Sequence, residues 1–128
     1  RIDQRRHFIT AATLRAASTR HAAVVIGELK ELDDMRGAGF DFTDMMANQS
    51  GIRLADRLLA TPAEGWPDLL ARMTEEAAVI GALDGLPGET PRDAFRDQIG
   101  GLDTPVYRDL FALIETRIDG LPLHAADP

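Results

Sequence analysis

Ala22, Val25, Ile26, Leu29 and Leu32 recur at three- and four-residue spacing, the stripe of a helix that lays one face on a neighbour. The segment before it, Gln4 to about Ser18, is Ala-rich and helix-favouring, carrying Phe8, Ala11, Ala12, Leu14 and Ala16. No segment reads convincingly as a strand. The chain therefore predicts an all-α fold, a compact bundle of five to six helices. Its 128 residues are enough for one domain with a real core and too few for two ordinary ones. We expect a single domain with a three-helix front part over residues 1–60 and a back part over 61–128; residues 84–91 could act as a joint between a three-helix front half and a smaller back half.

Local signals set the boundaries. Ser18-Thr19 breaks the first helix; the second is expected from about His21 to Met35, where Gly37 and Gly39 stop it, Gly37 in the left-handed cap position. Asp41 with Asp44 three residues on suggests a helix cap, with Thr43 as a competitor. The third helix then runs to about Leu59 and buries Met46, Ile52, Ala55 and Leu58 or Leu59. A fourth is expected near Asp68 to Ala77, and the apolar run 77–83 either extends it or crosses the surface. Thr90-Pro91 and Thr104-Pro105 announce two more helices, ended by Gly100-Gly101 and by Gly120 with Pro122. The last presents Val106, Tyr107, Leu110, Phe111, Ile114 and Ile118 as a broad apolar face.

The formal net charge of -7 disfavours a nucleic-acid surface or an anionic membrane surface, both of which call for clustered Lys and Arg. Cysteine is absent, so no disulfide and no thiolate metal site can form, and cytoplasm and periplasm fit equally. No run approaches the roughly 18 apolar residues of a membrane span. The chain opens at Arg1 without Met, which suggests a trimmed piece whose signal peptide or anchor would lie upstream.

Residues 27–51 place polar side chains on faces otherwise built for packing, and such groups cost stability unless partners meet them. Gly27, Glu31 and Asp34 fall on one side of the second helix, with Lys30 able to pair with Asp34. Asp44, Asn48, Gly51 and Ala55 share a stripe of the third, where small residues let another helix approach. His7 on the first helix points inward or to a seam, above Ala11 and Leu14. With the three helices packed antiparallel in turn, His7, Glu31, Asp44 and Asn48 would converge at one end of the bundle. Glu31, Asp34, Asp44 and Asn48 are the candidate binding residues. Gly37, Gly39, Phe40 and Gly51 are the candidate structural turn and packing residues.

Two uses of such a cluster compete. A buried His–carboxylate–Asn network can lock three helices with no ligand at all. Alternatively it serves a site, with His7, Glu31 and Asp44 as catalytic candidates for a hydrolase: a carboxylate as general base and His7 as acid or metal ligand. The sequence holds no HExxH zinc signature and no GxSxG elbow, and Gly37-Ala38-Gly39 lacks the Lys-Ser/Thr of a phosphate loop. No cofactor and no metal is called for. His21 and His124 read as solvent-exposed, Glu75-Glu76 diverge on a helix, and Trp66, Tyr107 and Phe111 could anchor a protein partner. Self-association stays open.

His7-Phe8, Lys30-Glu31-Leu32 with Asp34, Gly37, Gly39-Phe40, Asp44, Asn48 and Gly51 occur in an order that resembles the YfiM-like lipoproteins, a family of small bacterial envelope proteins. More distantly it resembles the VanZ-like family. The likeness covers about residues 6–55. It implies the periplasm or cell envelope and no particular reaction. VanZ-like proteins are membrane-embedded, whereas Arg15, Arg20, Glu28, Arg53 and Asp56 suit water, so the resemblance does not extend to a membrane role. The expected partner is a protein or a small molecule, not nucleic acid.

Overall fold

A computed structural model of the protein describes residues 2–34 and 39–125, the side chains of Ile2, Asp33 and Asp34 excepted. Within these, six α-helices account for the architecture: α1 (Ile2–Ala17), α2 (Arg20–Asp34), α3 (Phe42–Ala60), α4 (Trp66–Ala71), α5 (Arg92–Gln98) and α6 (Pro105–Asp119). The fold is an all-α bundle. None of the helices is long and apolar enough to cross a membrane.

The centre of the bundle is α3. From Phe42 to Ile52 every residue is buried, because α1, α2 and α6 all touch this helix. Polar partners recur with a nearly constant offset, Gln4 to Asp44, His7 to Asn48 and Arg15 to Asp56, so α1 and α3 run parallel. The up-down-up order of the first three helices follows. Gly51 allows the close approach: a Cβ there would stand 2.1 Å from the Phe8 carbonyl oxygen. On its other side α3 contributes Phe42, Met45 and Met46 to the main core, where Phe95, Tyr107, Ile114 and Ile118 meet them.

The apolar stripe of α2 is rotated from the sequence expectation. Ile26 and Leu29 are 44% and 58% exposed, whereas Ala23 and Glu31 are buried. Polar bonds turn the helix. Glu28 accepts the Tyr107 hydroxyl at 2.6 Å, and Glu31 accepts the Asp41 backbone N–H at 3.1 Å. Both carboxylates therefore face inward.

Two short strands correct the strand-free expectation: β1 (Phe40–Asp41) pairs antiparallel with β2 (Glu89–Thr90), placing Phe40 opposite Thr90. Gly39 adopts φ 110°, and a Cβ on it would strike the Thr90 carbonyl at 2.6 Å, so the strap closes only over glycine. Residues 84–91 are thereby tied to the start of α3 and to the core. Leu86 is buried in the core and the Pro87 carbonyl accepts the Phe42 N–H at 3.0 Å.

The fourth helix is also shorter than its pattern suggests, ending at Ala71 instead of Ala77. Continuing it would carry Ile80 and Gly81 away from α3. The chain instead extends at Glu75 and turns through the 3-10 segment Glu76–Ala78. It then lays Gly81 against Met46, where the Gly81 N–H donates to Ser50 Oγ at 3.2 Å.

Candidate functional site

The start of α3 organises the polar cluster. Asp41 is the N-cap; its side chain accepts the Thr43 N–H at 2.8 Å and the Asp44 N–H at 3.3 Å. Thr43, the competing cap, lies within the helix and donates its hydroxyl to Asp41 at 2.6 Å. In a capping box the residue at Asp44 would reach back to the cap N–H. Here Glu31 takes that N–H, which frees the Asp44 carboxylate to face α1.

On α1, Gln4 and His7 receive it. Gln4 Nε2 donates to Asp44 Oδ1 at 3.0 Å, and His7 Nε2 stands 3.3 Å from Asp44 Oδ2. His7 Nδ1 lies 3.0 Å from Asn48 Oδ1, one turn further along α3. A carboxamide oxygen only accepts, so Nδ1 carries the hydrogen. Glu31 Oε1 approaches the same nitrogen at 4.0 Å, and Asp3 Oδ2 approaches Nε2 at 4.0 Å. The imidazole pKa is raised, first by the bond to Asp44, against the opposing effect of burial, with Glu31 and Asn48 adding to the rise. His7 is therefore held toward its protonated form.

A groove of about 370 Å³ opens beside the cluster, between α1 and α2. Ala11, Leu14, Ala23 and Ile26 form its apolar length. His7 and Asn48 close one part of the wall, with Asp3, Arg6 and Lys30 also bordering it. Gly27 shapes this wall as well, since a Cβ there would come within 3.3 Å of Asn48 Nδ2.

The structure thus brings His7, Glu31, Asp44 and Asn48 together, with unequal access to water. His7 and Asn48 reach the groove. Asp44 is nearly covered and Glu31 is fully buried at 0% exposure, so Glu31 supports the helix start and the imidazole from behind. Asp34 and its pairing with Lys30, together with Gly37, lie outside the described residues and side chains. Gly39 serves the strap, Phe40 is fully buried in the core, and Gly51 seats α1.

Asp3 and Gln4 complete the cluster and were not singled out by sequence. Their signal was spacing: they stand four and three residues before His7, on the same helical face. Together Asp3, His7 and Asp44 offer three donor atoms within 4.8 Å of one another, in a sequence read as calling for no metal. His21 is exposed, but His124 is half-buried; burial and the nearby Arg53 and Arg57 push its pKa down to about 4. Of the three aromatics considered as partner anchors, Tyr107 is buried, Phe111 packs against the core and Trp66 is 43% exposed. Comparison with protein-family models, with curated proteins and with solved structures finds no match to this chain.

Proposed function

We propose that this chain is a ligand-binding helical module of the bacterial envelope, whose site is the groove between α1 and α2 at the end where His7, Asp44 and Asn48 meet. The groove carries the reading. Its volume lies within the range of small-molecule sites, and it joins an apolar length to a few convergent polar groups. A small molecule with an apolar body and a polar end matches that lining. Placement in the envelope rests on the YfiM-like pattern in residues 6–55.

The test fills the groove without touching the core. Ile26 lines it and is 44% exposed, outside the buried core, so Ile26→Trp is expected to fold with a nearly unchanged melting temperature. Small amphiphiles with polar head groups that raise the parent protein's melting temperature should lose that effect in Ile26→Trp and in Asn48→Ala. If no compound stabilises the parent, and Asn48→Ala only lowers its stability, the cluster is a lock between helices and the binding reading fails.

A second reading, a hydrolase, is favoured by one observation: an imidazole on a groove wall is oriented by a carboxamide on one nitrogen and a carboxylate near the other. His7 would exchange the proton and Asp44 would act beside it as base. Turnover of ester or amide substrates that disappears in His7→Gln, with the fold retained, is the result this reading requires.

A further inference from the structure

We propose that Asp3, His7 and Asp44 form a binding site for a divalent metal ion of the zinc or manganese class at the edge of the α1–α2 groove. The starting point is the His7 tautomer. With Nδ1–H committed to Asn48 Oδ1, the neutral ring presents the Nε2 lone pair, and Nε2 faces Asp44 Oδ2 at 3.3 Å and Asp3 Oδ2 at 4.0 Å. Three acceptors aimed at one small volume repel one another unless positive charge lies among them. A proton on Nε2 can bridge to one carboxylate at a time. A divalent ion engages all three donors.

The distances suit an ion. Bonds of about 2.0–2.2 Å to one centre separate neighbouring donors by roughly 2.9–3.6 Å. The His7–Asp44 pair already satisfies this. Asp3 stands 4.0 Å from His7 Nε2, with all three donors within 4.8 Å of one another, so it must close by roughly 1 Å; its side chain, 65% exposed on the first turn of α1, has the rotamer freedom to do so. The two inner ligands are also held from behind, as metal ligands are: Asn48 fixes the imidazole, and Gln4 Nε2 holds the other Asp44 oxygen at 3.0 Å. Glu31, 4.0 Å from Nδ1, adds further negative charge. Asp3 and His7 both border the groove, which provides the entry path. One imidazole with two carboxylates and no thiolate selects zinc or manganese, and three protein donors leave positions for water or a ligand group.

This site shares Asp3 and His7 with the groove but does not depend on the ligand-binding reading, and the experiment separates them. Zinc and manganese chlorides are titrated by calorimetry into the chelator-treated, untagged chain, alongside Asp3→Asn, His7→Gln, His21→Ala and Ile26→Trp. The expected result is one ion per chain for the parent, His21→Ala and Ile26→Trp, with affinity at least tenfold weaker in Asp3→Asn and His7→Gln. Asp3→Asn keeps the metal-free melting temperature, because its side chain is mostly exposed, so its loss of binding cannot be ascribed to unfolding. Absence of heat at millimolar metal, or equal affinity in the parent and Asp3→Asn, overturns the site.

Discussion

At the scale of residues, the two inward histidines are shifted in opposite directions, and each shift is a statement about stability. His7 is raised above 6.5 by Asp44, so its contribution is complete below that pH and is lost as pH rises through its folded value. His124 is lowered to about 4 by burial and by Arg53 and Arg57, with Asp119 opposing. Above pH 6.5 its ring is neutral whether or not the chain is folded. As pH falls, the unfolded chain takes up a proton that the folded chain refuses until about pH 4, so stability declines across that window and levels off below it. For a half-buried ring, discounted for solvent screening, the loss is about 1–2 kcal/mol. His124→Gln should flatten this part of the curve, as checked by urea unfolding at pH 7.5, 5.5 and 4.5. An equally steep decline in the variant would show that other groups cause it. The tail position of His124 gave no hint of its burial, since Leu123 beside it enters a cluster with Leu54 and Leu69 that no local pattern announces.

At the scale of elements, regular helices were legible and departures from regularity were not. The end of α1, the start of α2 and both ends of α3 and α6 fall within one or two residues of their caps and breakers, because such signals act locally. The apolar spacing of α2 points Ile26 and Leu29 inward, but Glu28, which suits water by its charge, and Glu31, a member of the polar cluster, both turn inward to distant partners. Their partners, Tyr107 and Asp41, lie 79 and 10 residues away. Gly51 shows the reverse case, in which a small residue on a polar stripe correctly signalled a close helix approach. Its replacement by Ala puts a methyl group 2.1 Å from the Phe8 carbonyl oxygen and 3.1 Å from the Ala12 nitrogen, both backbone atoms. Neither can yield unless α1 moves as a whole. Gly51→Ala should therefore cost about 3 kcal/mol or more despite the better helix propensity of Ala. Gly27→Ala, which meets only the Asn48 side chain at 3.3 Å, should cost under about 1 kcal/mol. Denaturant midpoints of the two variants measure the contrast, and equal midpoints would mean that the α1–α3 contact is softer than its geometry implies.

At the scale of the whole molecule, charges read as merely water-loving join four helices at the end away from His7. Asp56 on α3 pairs with Arg15 of α1 and with Arg20 at the start of α2. Glu115 on α6 takes Arg20 at 3.2 Å and Arg53 of α3 at 2.7 Å, and Arg53 also reaches Asp119. Partners 36 to 95 residues apart leave no trace in spacing, which is why the sequence showed the charges and not their arrangement. The network couples the front helices to α6 at one end, as Tyr107 and Glu28 do nearer the groove. An isolated surface pair is worth little, but Glu115 serves two guanidinium groups and is itself largely covered, so its removal leaves both short of a partner. Glu115→Gln should lower unfolding free energy by about 1 kcal/mol in 20 mM salt. In 1 M NaCl, where the screening length shrinks to about 3 Å, the difference should fall by half or more. Glu89→Gln, on an exposed strand end outside the network, provides the control and should show no such salt dependence. Urea unfolding of the three proteins at both salt concentrations decides the matter: a Glu115→Gln deficit that persists unchanged in high salt would mean that this residue holds α6 by packing and hydrogen bonding, with little contribution from charge.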